Sequence, residues 1–403
     1  MLNKIGEIIN FLKKYVSMPH ERETQTRRTV LKTAAAGTAL AAAGCLGDGD
    51  DGEAEMSPDE VEDASANLEG GLNVWNWYSD FREYTVEQFL EEHDLDVAQS
   101  AYSSPGEWFS SLEAGEGEID VVGSTPDWTV RSRENGYLSP LPLDAMTFWD
   151  DTPEFIKDVL EEYHMVDGEL YAAPQAVQVN PTLTYNNEFF DSPPDSWGVL
   201  WDDEFEDQMF MWDRSYYACQ IAAMYLGQDP FDPDDYEEIE EALIQQRDLN
   251  VNLWQDFNQA RQQYLSEDVV VGPFLDGQSF QARFFDDAPV DFTVPEEGAF
   301  WVLNDFVIPA DAPHPNAAVA YTDFVADPEV NKMMLPTMGY RGAYNDEMME
   351  DVYAEELESG DITEEMLDFH RWDEFEDRLI FEEPLDEDVL ERYDEIWGEV
   401  RVA

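Results

Sequence analysis

Short apolar segments alternate with longer amphipathic ones from about residue 72 onward. Apolar or alternating runs at 72–77, 96–102 and 119–122 predict β-strands, and the segments 83–92 and 106–114 between them have helical spacing. A series of strand, helix, strand, helix and strand is typical of a mainly parallel sheet with helices on its faces. We therefore expect an α/β fold.

A second set of elements begins near Pro181. The predicted elements are a strand at 182–185, a turn region at 195–201, helices at 215–226, 236–249 and 254–265, a strand at 301–309, and helices at 317–326 and 386–400. About 335 residues follow residue 67, and a chain of this length suggests two domains.

Polar and aromatic residues follow the first and third predicted strands. In sheets with parallel strands, ligands bind beyond the carboxyl ends of the strands. The candidate ligand-binding residues at these two ends are Trp77, Tyr78, Asp80, Ser124, Asp127 and Trp128.

The N-terminal segment resembles an export signal. Arg27-Arg28-Thr29-Val30-Leu31-Lys32 is similar to a twin-arginine motif, and Ala42-Ala43-Gly44-Cys45 is similar to a lipobox. A buried Ala-rich helix is the alternative, but the apolar stretch is too short to span a bilayer and ends in Gly-Cys. We predict that residues 1–44 are the export signal, that translation starts at Met18, and that Cys45 carries a lipid on the outer face of the membrane.

Residues 45–67 are predicted to form an acidic tether. Nine acids and no base lie between Leu46 and Asn67. Gly, Ser and like charges do not build a hydrophobic core, so the folded part of the chain is expected to begin at residue 68.

The chain is strongly acidic. It has 21 Lys+Arg and 92 Asp+Glu, and only seven of these bases and three of these acids precede Cys45, which leaves a net charge near −75 for residues 45–403. This charge argues against nucleic-acid binding. Because 43% of the residues are hydrophobic and 13% aromatic, disorder is excluded as well. An acidic surface with only Lys157 and Lys332 as lysines after Cys45 predicts a halophilic source, since salt at 1 M screens charges within about 3 Å.

Metal and cofactor motifs are missing from the sequence. Cys219 is expected to be a buried, inert thiol, and the mature chain to have no structural disulfide. The histidines, expected at the surface or as caps, are His20, His93, His164, His314 and His370. A hydrolase would need two carboxyls about 5–9.5 Å apart. Because the chain has 92 acids, acid pairs arise often by chance and none is singled out as catalytic, so a hydrolase is a remote alternative.

Several short motifs carry a family resemblance. They are Asn76-Trp77, residues 120–125, Ser196-Trp197 with Leu200-Trp201, residues 295–298 continuing through Trp301 to Ile308-Pro309, residues 327–330, and Met338-Gly339-Tyr340. In this order they resemble the spermidine/putrescine-binding proteins of ABC importers, over nearly all of residues 72–402.

The resemblance implies an α/β, two-lobed, periplasmic-binding-protein-like fold with crossing hinge strands. One lobe would hold residues 68–180 and 303–347, and the other 181–302 and 348–403. The protein would bind and deliver a small molecule without catalysing a reaction or using a cofactor. An ABC permease and an ATPase subunit are the implied partners, with the lipid anchor holding the protein at the membrane.

The resemblance also implies a pocket with aromatic walls and carboxylates for a polyamine. Trp77, Ser124 and Tyr340 match its pocket positions. Where the family has acids, this chain has Arg214, Tyr217 and, after Trp301, Asn304. Four acids are candidate substitutes: Asp80, Asp127, Asp276 and Asp305. The leading interpretation is a polyamine-binding protein, and the alternative is a carboxylate-bearing ligand held by Arg214, with Arg341 as a further candidate.

Overall fold

The structure, a computed structural model, describes residues 56–64, 67–102, 104–115, 118–343, 352–360, 362–383 and 385–403. The predicted export signal, Cys45 and the first part of the predicted tether lie outside these residues. Residues Ser57–Ala403 form one compact unit.

Two large sheets and a small hairpin contain the strands. The strands are β1 (Gly71–Trp75), β2 (Asp96–Ser100), β3 (Val121–Ser124), β4 (Met165–Val166), β5 (Glu169–Leu170), β6 (Ala173–Val179), β7 (Thr182–Asn186), β8 (Met209–Trp212), β9 (Asn250–Trp254), β10 (Val271–Phe274), β11 (Val290–Thr293), β12 (Ala299–Val307) and β13 (Leu379–Phe381).

Helices pack around both large sheets. They are α1 (Ser79–Glu92), α2 (Pro105–Ala114), α3 (Pro126–Glu134), α4 (Phe148–Asp151), α5 (Glu154–Val159), α6 (Ser215–Leu226), α7 (Tyr236–Arg247), α8 (Phe257–Leu265), α9 (Asp276–Phe280), α10 (Pro315–Ala326), α11 (Pro328–Asn331), α12 (Met334–Met338), α13 (Ala354–Ser359), α14 (Glu364–Asp368), α15 (Trp372–Phe375) and α16 (Glu387–Val400). Cys219 is fully buried in α6, as predicted, and burial raises the pKa of its thiol.

The first sheet contains the predicted parallel series. Its strands β2, β1 and β3 are parallel neighbours, in that order, and are connected by α1 and α2. The prediction of a mainly parallel sheet is too simple, because β12 pairs antiparallel with both β3 and β6. The first three residues of β12 pair in parallel with β13, so this one strand connects three neighbours. It also runs without interruption through the predicted lobe boundary at residues 302 and 303.

The second sheet has the order β11, β7, β10, β8, β9. Strand β7 is antiparallel to both of its neighbours, whereas β10, β8 and β9 are parallel. The chain passes from the first sheet to the second between β6 and β7, at Asn180-Pro181, and returns between β11 and β12. The carboxyl ends of β8 and β10 lead into α6 and α9, which carry candidate ligand-binding residues.

The predicted tether is shorter than expected within the described residues. Pro58, Val61 and Ala64 are buried, and a 3-10 turn at Pro58–Glu60 is capped by Ser57. These apolar residues recur at every third position among acids. The acidic composition therefore gave no indication that this segment packs on the core. In the part of the chain that the structure describes, no helix is both long enough and apolar enough to cross a membrane.

Candidate functional site

A tight turn after β1 positions the first two candidate aromatic residues. The Asn76 side-chain oxygen accepts a hydrogen bond from the backbone N–H of Tyr78 at 2.9 Å. Tyr78 is thereby turned into the protein, where it is 4% exposed, and Trp77 stays half-buried beside it. The ring of Trp77 meets Tyr78 and Tyr102 edge-on, with centroids 5.5 and 5.2 Å away.

Tyr78 and Tyr340 form the centre of a buried polar cluster. Their ring centroids lie 5.5 Å apart. The Tyr78 hydroxyl accepts hydrogen bonds from the amides of Gln178 and, at 3.1 Å, Asn304, while the Tyr340 hydroxyl accepts one from Gln278 at 3.3 Å. Burial raises the pKa of both phenols, so both are neutral hydrogen-bonding groups. Three predicted site residues, Tyr78, Asn304 and Tyr340, are thus brought together.

Asp276 borders this cluster from the second sheet. It is the first residue of α9, directly after β10 and Leu275, and is 2% exposed. After burial, its charge is a further cause that raises the pKa of Tyr78 and of Tyr340. One carboxylate oxygen accepts the backbone N–H of Gly277 at 2.7 Å, and the other lies 3.3 Å from Nδ1 of His370.

A stack of aromatic rings forms a second part of the site. Trp212, at the end of β8, stacks on Tyr217 and on Trp254, with centroids 4.8 and 4.9 Å apart. Tyr216 lies 4.2 Å from Tyr217. The Tyr217 hydroxyl donates to the carboxylate of Glu382, which follows β13, at 2.9 and 3.2 Å from its two oxygens. This contact joins the first sheet to α6 beside the second.

Asp127, in the first turn of α3, lies near enough to Glu382 for its charge to act on that carboxyl. Burial raises the pKa of Glu382 to about 8; the hydrogen bond from Tyr217 lowers it, and the charge of Asp127 raises it further. Within the described part of the chain, neither carboxylate has a Lys, Arg or His partner within 4.0 Å. Asp127 is an exposed residue whose charge also interacts with that of Arg131, four residues on, whereas Glu382 is half-buried against Tyr217.

Ser124 lies behind these groups in a buried network. The Thr129 hydroxyl lies 3.0 Å from the Ser124 hydroxyl and 2.9 Å from a carboxyl oxygen of Asp305, and its single proton is shared between these two acceptors. His164 lies 3.4 Å from Asp305. Burial raises the pKa of Asp305 and lowers that of His164 to about 3, so burial disfavours the charged form of each group. The expectation of surface or capping histidines is wrong for His164 and His370, because each is buried against an aspartate.

Other predicted residues occupy different surroundings. Asp80 is exposed in the first turn of α1. Trp128 packs between α2 and α3, 5.4 Å from Phe109 and with Arg131 over its ring at 5.0 Å. Trp301 packs on Trp372 and Phe381, and its carbonyl accepts the backbone N–H of Glu382 at 2.9 Å.

Arg214 lies in an outer cavity. It is exposed, precedes α6, and has its guanidinium 5.9 Å from the ring of Trp212. The cavity has a volume of about 400 Å³ and is lined by Asp213, Arg214, Ser215, Tyr216, Leu390, Asp394, Trp397 and Arg401. Its mixed charge contrasts with the acid pair at Glu382.

Four residues of the site were missed from the sequence: Gln178, Gln278, His370 and Glu382. The short apolar run before Glu382 was the only signal in the sequence. In a chain with 92 acids, this run did not distinguish Glu382 from the other acids. No group of three or more His, Cys, Asp or Glu side chains suited to a metal ion exists among the described residues.

Comparison with known proteins identifies the family. A family model described as bacterial extracellular solute-binding protein matches residues 84–356. The chain belongs to this family. The spermidine/putrescine-binding periplasmic protein of Escherichia coli is 25% identical to it over 281 residues, which cover 69% of this chain and 78% of that protein. The putrescine/agmatine-binding protein of Pseudomonas aeruginosa is 23% identical over 297 residues, covering 69% and 79% of the two chains.

Solved structures confirm the two-lobed α/β fold of this solute-binding protein. The substrate-binding protein of a spermidine/putrescine ABC transporter from Streptococcus pneumoniae superposes with a TM-score of 0.70 at 17% identity, over 83% of this chain and 99% of that one. A GABA receptor, Atu4243, superposes with a TM-score of 0.62 at 17% identity, over 82% and 96%. At these identities the likeness concerns the fold.

Proposed function

We propose that this solute-binding protein binds a polyamine, spermidine or putrescine, and delivers it to the permease and ATPase of an ABC importer. The relatives named for these ligands support the substrate class, although their identity to this chain is only 23–25%. Membership of a solute-binding family favours binding over the remote alternative of a secreted hydrolase.

The acid pair is the observation that carries the proposal. Glu382 accepts the hydrogen bond of Tyr217, whose ring stacks on Trp212, and the charge of Asp127 acts on the same carboxyl. An ammonium group near both acids favours the charged form of Glu382 and gains charge-assisted hydrogen bonds. Aromatic faces beside it add cation–π attraction of about 0.5–2 kcal/mol. The family has two acids where this chain has Arg214 and Tyr217. We infer that Asp127 of α3 and Glu382, which follows β13, take the place of these acids.

A carboxylate-bearing ligand is the second candidate. Arg214 supports it, because its exposed guanidinium lines a cavity together with Tyr216 and Arg401. The fold also occurs in a GABA receptor, whose ligand carries both an amine and a carboxylate. The cavity includes Asp213 and Asp394 as well, so its chemistry favours an anion less than the acid pair favours a cation.

Calorimetry in multimolar KCl tests the proposal. We expect spermidine or putrescine to saturate one site, and Glu382→Gln to weaken binding about 10- to 100-fold, since a hydrogen bond to a charged group contributes about 1.5–3 kcal/mol. Glu383→Gln is the matched control: Glu383 is the exposed next residue and accepts from Tyr163 at 3.1 Å, so its loss leaves affinity unchanged.

Undiminished spermidine binding by Glu382→Gln would contradict the role of the acid pair. Binding of small carboxylates in place of polyamines, abolished by Arg214→Ala, would favour the second candidate.

We further propose that the protein is a lipid-anchored, halophilic lipoprotein, exported by the twin-arginine route to the outer face of the cell membrane. Cys45 and the arginine pair, which support this, lie outside the described residues. Cys45→Ser should release the protein into the medium; unchanged retention in the membrane fraction would reject the anchor.

A further inference from the structure

The buried pair of Asp276 and His370 lies at the edge of the Tyr78 and Tyr340 cluster. Asp276 is 2% exposed and His370 is 5% exposed. The backbone N–H of Gly277 occupies one carboxylate oxygen, and Nδ1 of His370 lies 3.3 Å from the other. A carboxylate with both oxygens engaged has a fixed orientation, so His370 helps to determine how Asp276 faces the two tyrosines.

Aromatic rings hold His370 in place. Its imidazole lies nearly parallel to the ring of Phe280, with centroids 5.8 Å apart and planes at 14°, and it meets Phe369 edge-on. Nε2 is buried and has no hydrogen-bond partner in the described part of the chain. We therefore assign the proton of the neutral ring to Nδ1, the nitrogen that lies 3.3 Å from Asp276.

We propose that His370 is a positioning residue for Asp276, that Asp276 binds a cationic group of the ligand, and that protonation of His370 weakens this binding. The inference rests on the proposed polyamine function. With a neutral imidazole, the pair has a charge of −1 and attracts an ammonium group. With an imidazolium, the pair has no net charge and the ligand meets a neutralised carboxylate.

The other titratable groups near Asp276 and His370 do not offset the change in charge that protonation of His370 causes. Tyr78 and Tyr340 face Asp276 as neutral phenols. Arg261 of α8 acts on Tyr340, but it is paired with Asp286 at 3.2 Å. Two other charged residues lie close to His370 in the sequence. Arg371 is paired with Asp291 of β11 at 2.7 Å, and Asp368 is exposed.

The direction of the pH effect follows from linkage. A cationic ligand beside Asp276 repels the imidazolium, so the complex binds fewer protons than the free protein. Affinity therefore rises with pH as the imidazolium of the free protein loses its proton. A coupling equivalent to one pKa unit corresponds to about a tenfold change in affinity.

The test compares spermidine and putrescine affinities at pH 5.5, 6.5, 7.5 and 8.5 in constant multimolar KCl. Deprotonation of Glu382, whose pKa is about 8, raises affinity with pH in every variant that keeps this acid. We expect His370→Gln, whose side chain cannot be protonated, to show a rise smaller by about tenfold than that of the unmodified protein. Asp276→Asn should bind weakly at every pH. His93→Gln, at the residue that follows α1, is the control and should keep the full slope. A pH-independent affinity of the unmodified protein, or an unchanged slope in His370→Gln, overturns the inference.

A ring titration of His370 by nuclear magnetic resonance gives a readout that needs no ligand. In Asp276→Asn, the ring should lose its proton at a lower pH than in the unmodified protein. An unchanged titration overturns the pairing, even if His370→Gln fails to fold. If neither polyamine binds at any pH, the proposed function fails separately, and this titration alone decides whether the pair is coupled.

Discussion

Gly277 is the residue on which the packing of Tyr340 depends. A Cβ atom at this position would lie 2.2 Å from the ring of Tyr340, much closer than atoms pack. We predict that Gly277→Ala destabilises the protein by about 1–3 kcal/mol through overpacking. Because Tyr340 would also move away from Tyr78, spermidine affinity should fall. Urea unfolding and calorimetry, both at fixed high salt, measure the two effects.

Gly70→Ala is the matched control. A Cβ at Gly70 meets nothing within 4 Å, so this substitution should change stability by less than about 0.5 kcal/mol. Equal effects of the two substitutions would show that Tyr340 tolerates the added methyl group, and that the contact at Gly277 does not fix the ring.

The cluster around Tyr78 was the most predictable part of the candidate site. Tyr78, Asn304 and Tyr340 were selected from strand ends and from the resemblance, and the structure brings them together. Glu382 could not be selected in this way, because its partner Tyr217 is 165 residues away in the sequence. His370 is similar: nothing near it in the chain indicates that its ring faces an aspartate in another element.

At the scale of elements, strands and helices with a regular pattern of apolar residues were predicted correctly, and those with an interrupted pattern were missed. The series from β1 to β3 alternates clearly and was predicted close to its observed bounds. Strand β9 was not predicted: residues 250–253 had no assigned element and Trp254 began the predicted helix 254–265, because Asn250–Trp254 is short and mixes polar with apolar residues.

Strand β6 was missed because of Pro174. Proline usually excludes a segment from the interior of a sheet, since it cannot donate a ladder hydrogen bond. Here Pro174 lies opposite Asp305, where the register between β6 and β12 shifts. The residue that this bulge leaves unpaired is Gln175, next to the proline. The shift lies between Asn304 and Asp305: Asn304 contacts Tyr78, whereas Asp305 contacts the network behind Ser124.

At the scale of the whole molecule, charge opposes the compact state. Residues 45–403 carry a net charge near −75, because most of the 92 acids and only 14 of the 21 bases lie there. Because this net charge is strongly negative, the electrostatic field around the protein repels anions and attracts cations. The proposed cationic ligand is consistent with this field, and a small carboxylate would approach against it.

The same charge makes folding dependent on salt. We predict that the cooperative thermal transition, followed by circular dichroism, is lost as the protein is dialysed from multimolar to millimolar KCl, because the screening length grows from about 3 Å at 1 M to about 30 Å at 0.01 M. Replacing the exposed acids Glu237 and Glu241 of α7 by Gln removes a repulsive pair one helical turn apart, so the salt midpoint should shift to a lower concentration. Sucrose at equal osmolality is the control for general exclusion effects, since it does not screen charge. A full transition that persists at millimolar salt, or an equal rescue by sucrose, would mean that repulsion between the carboxylates does not limit folding.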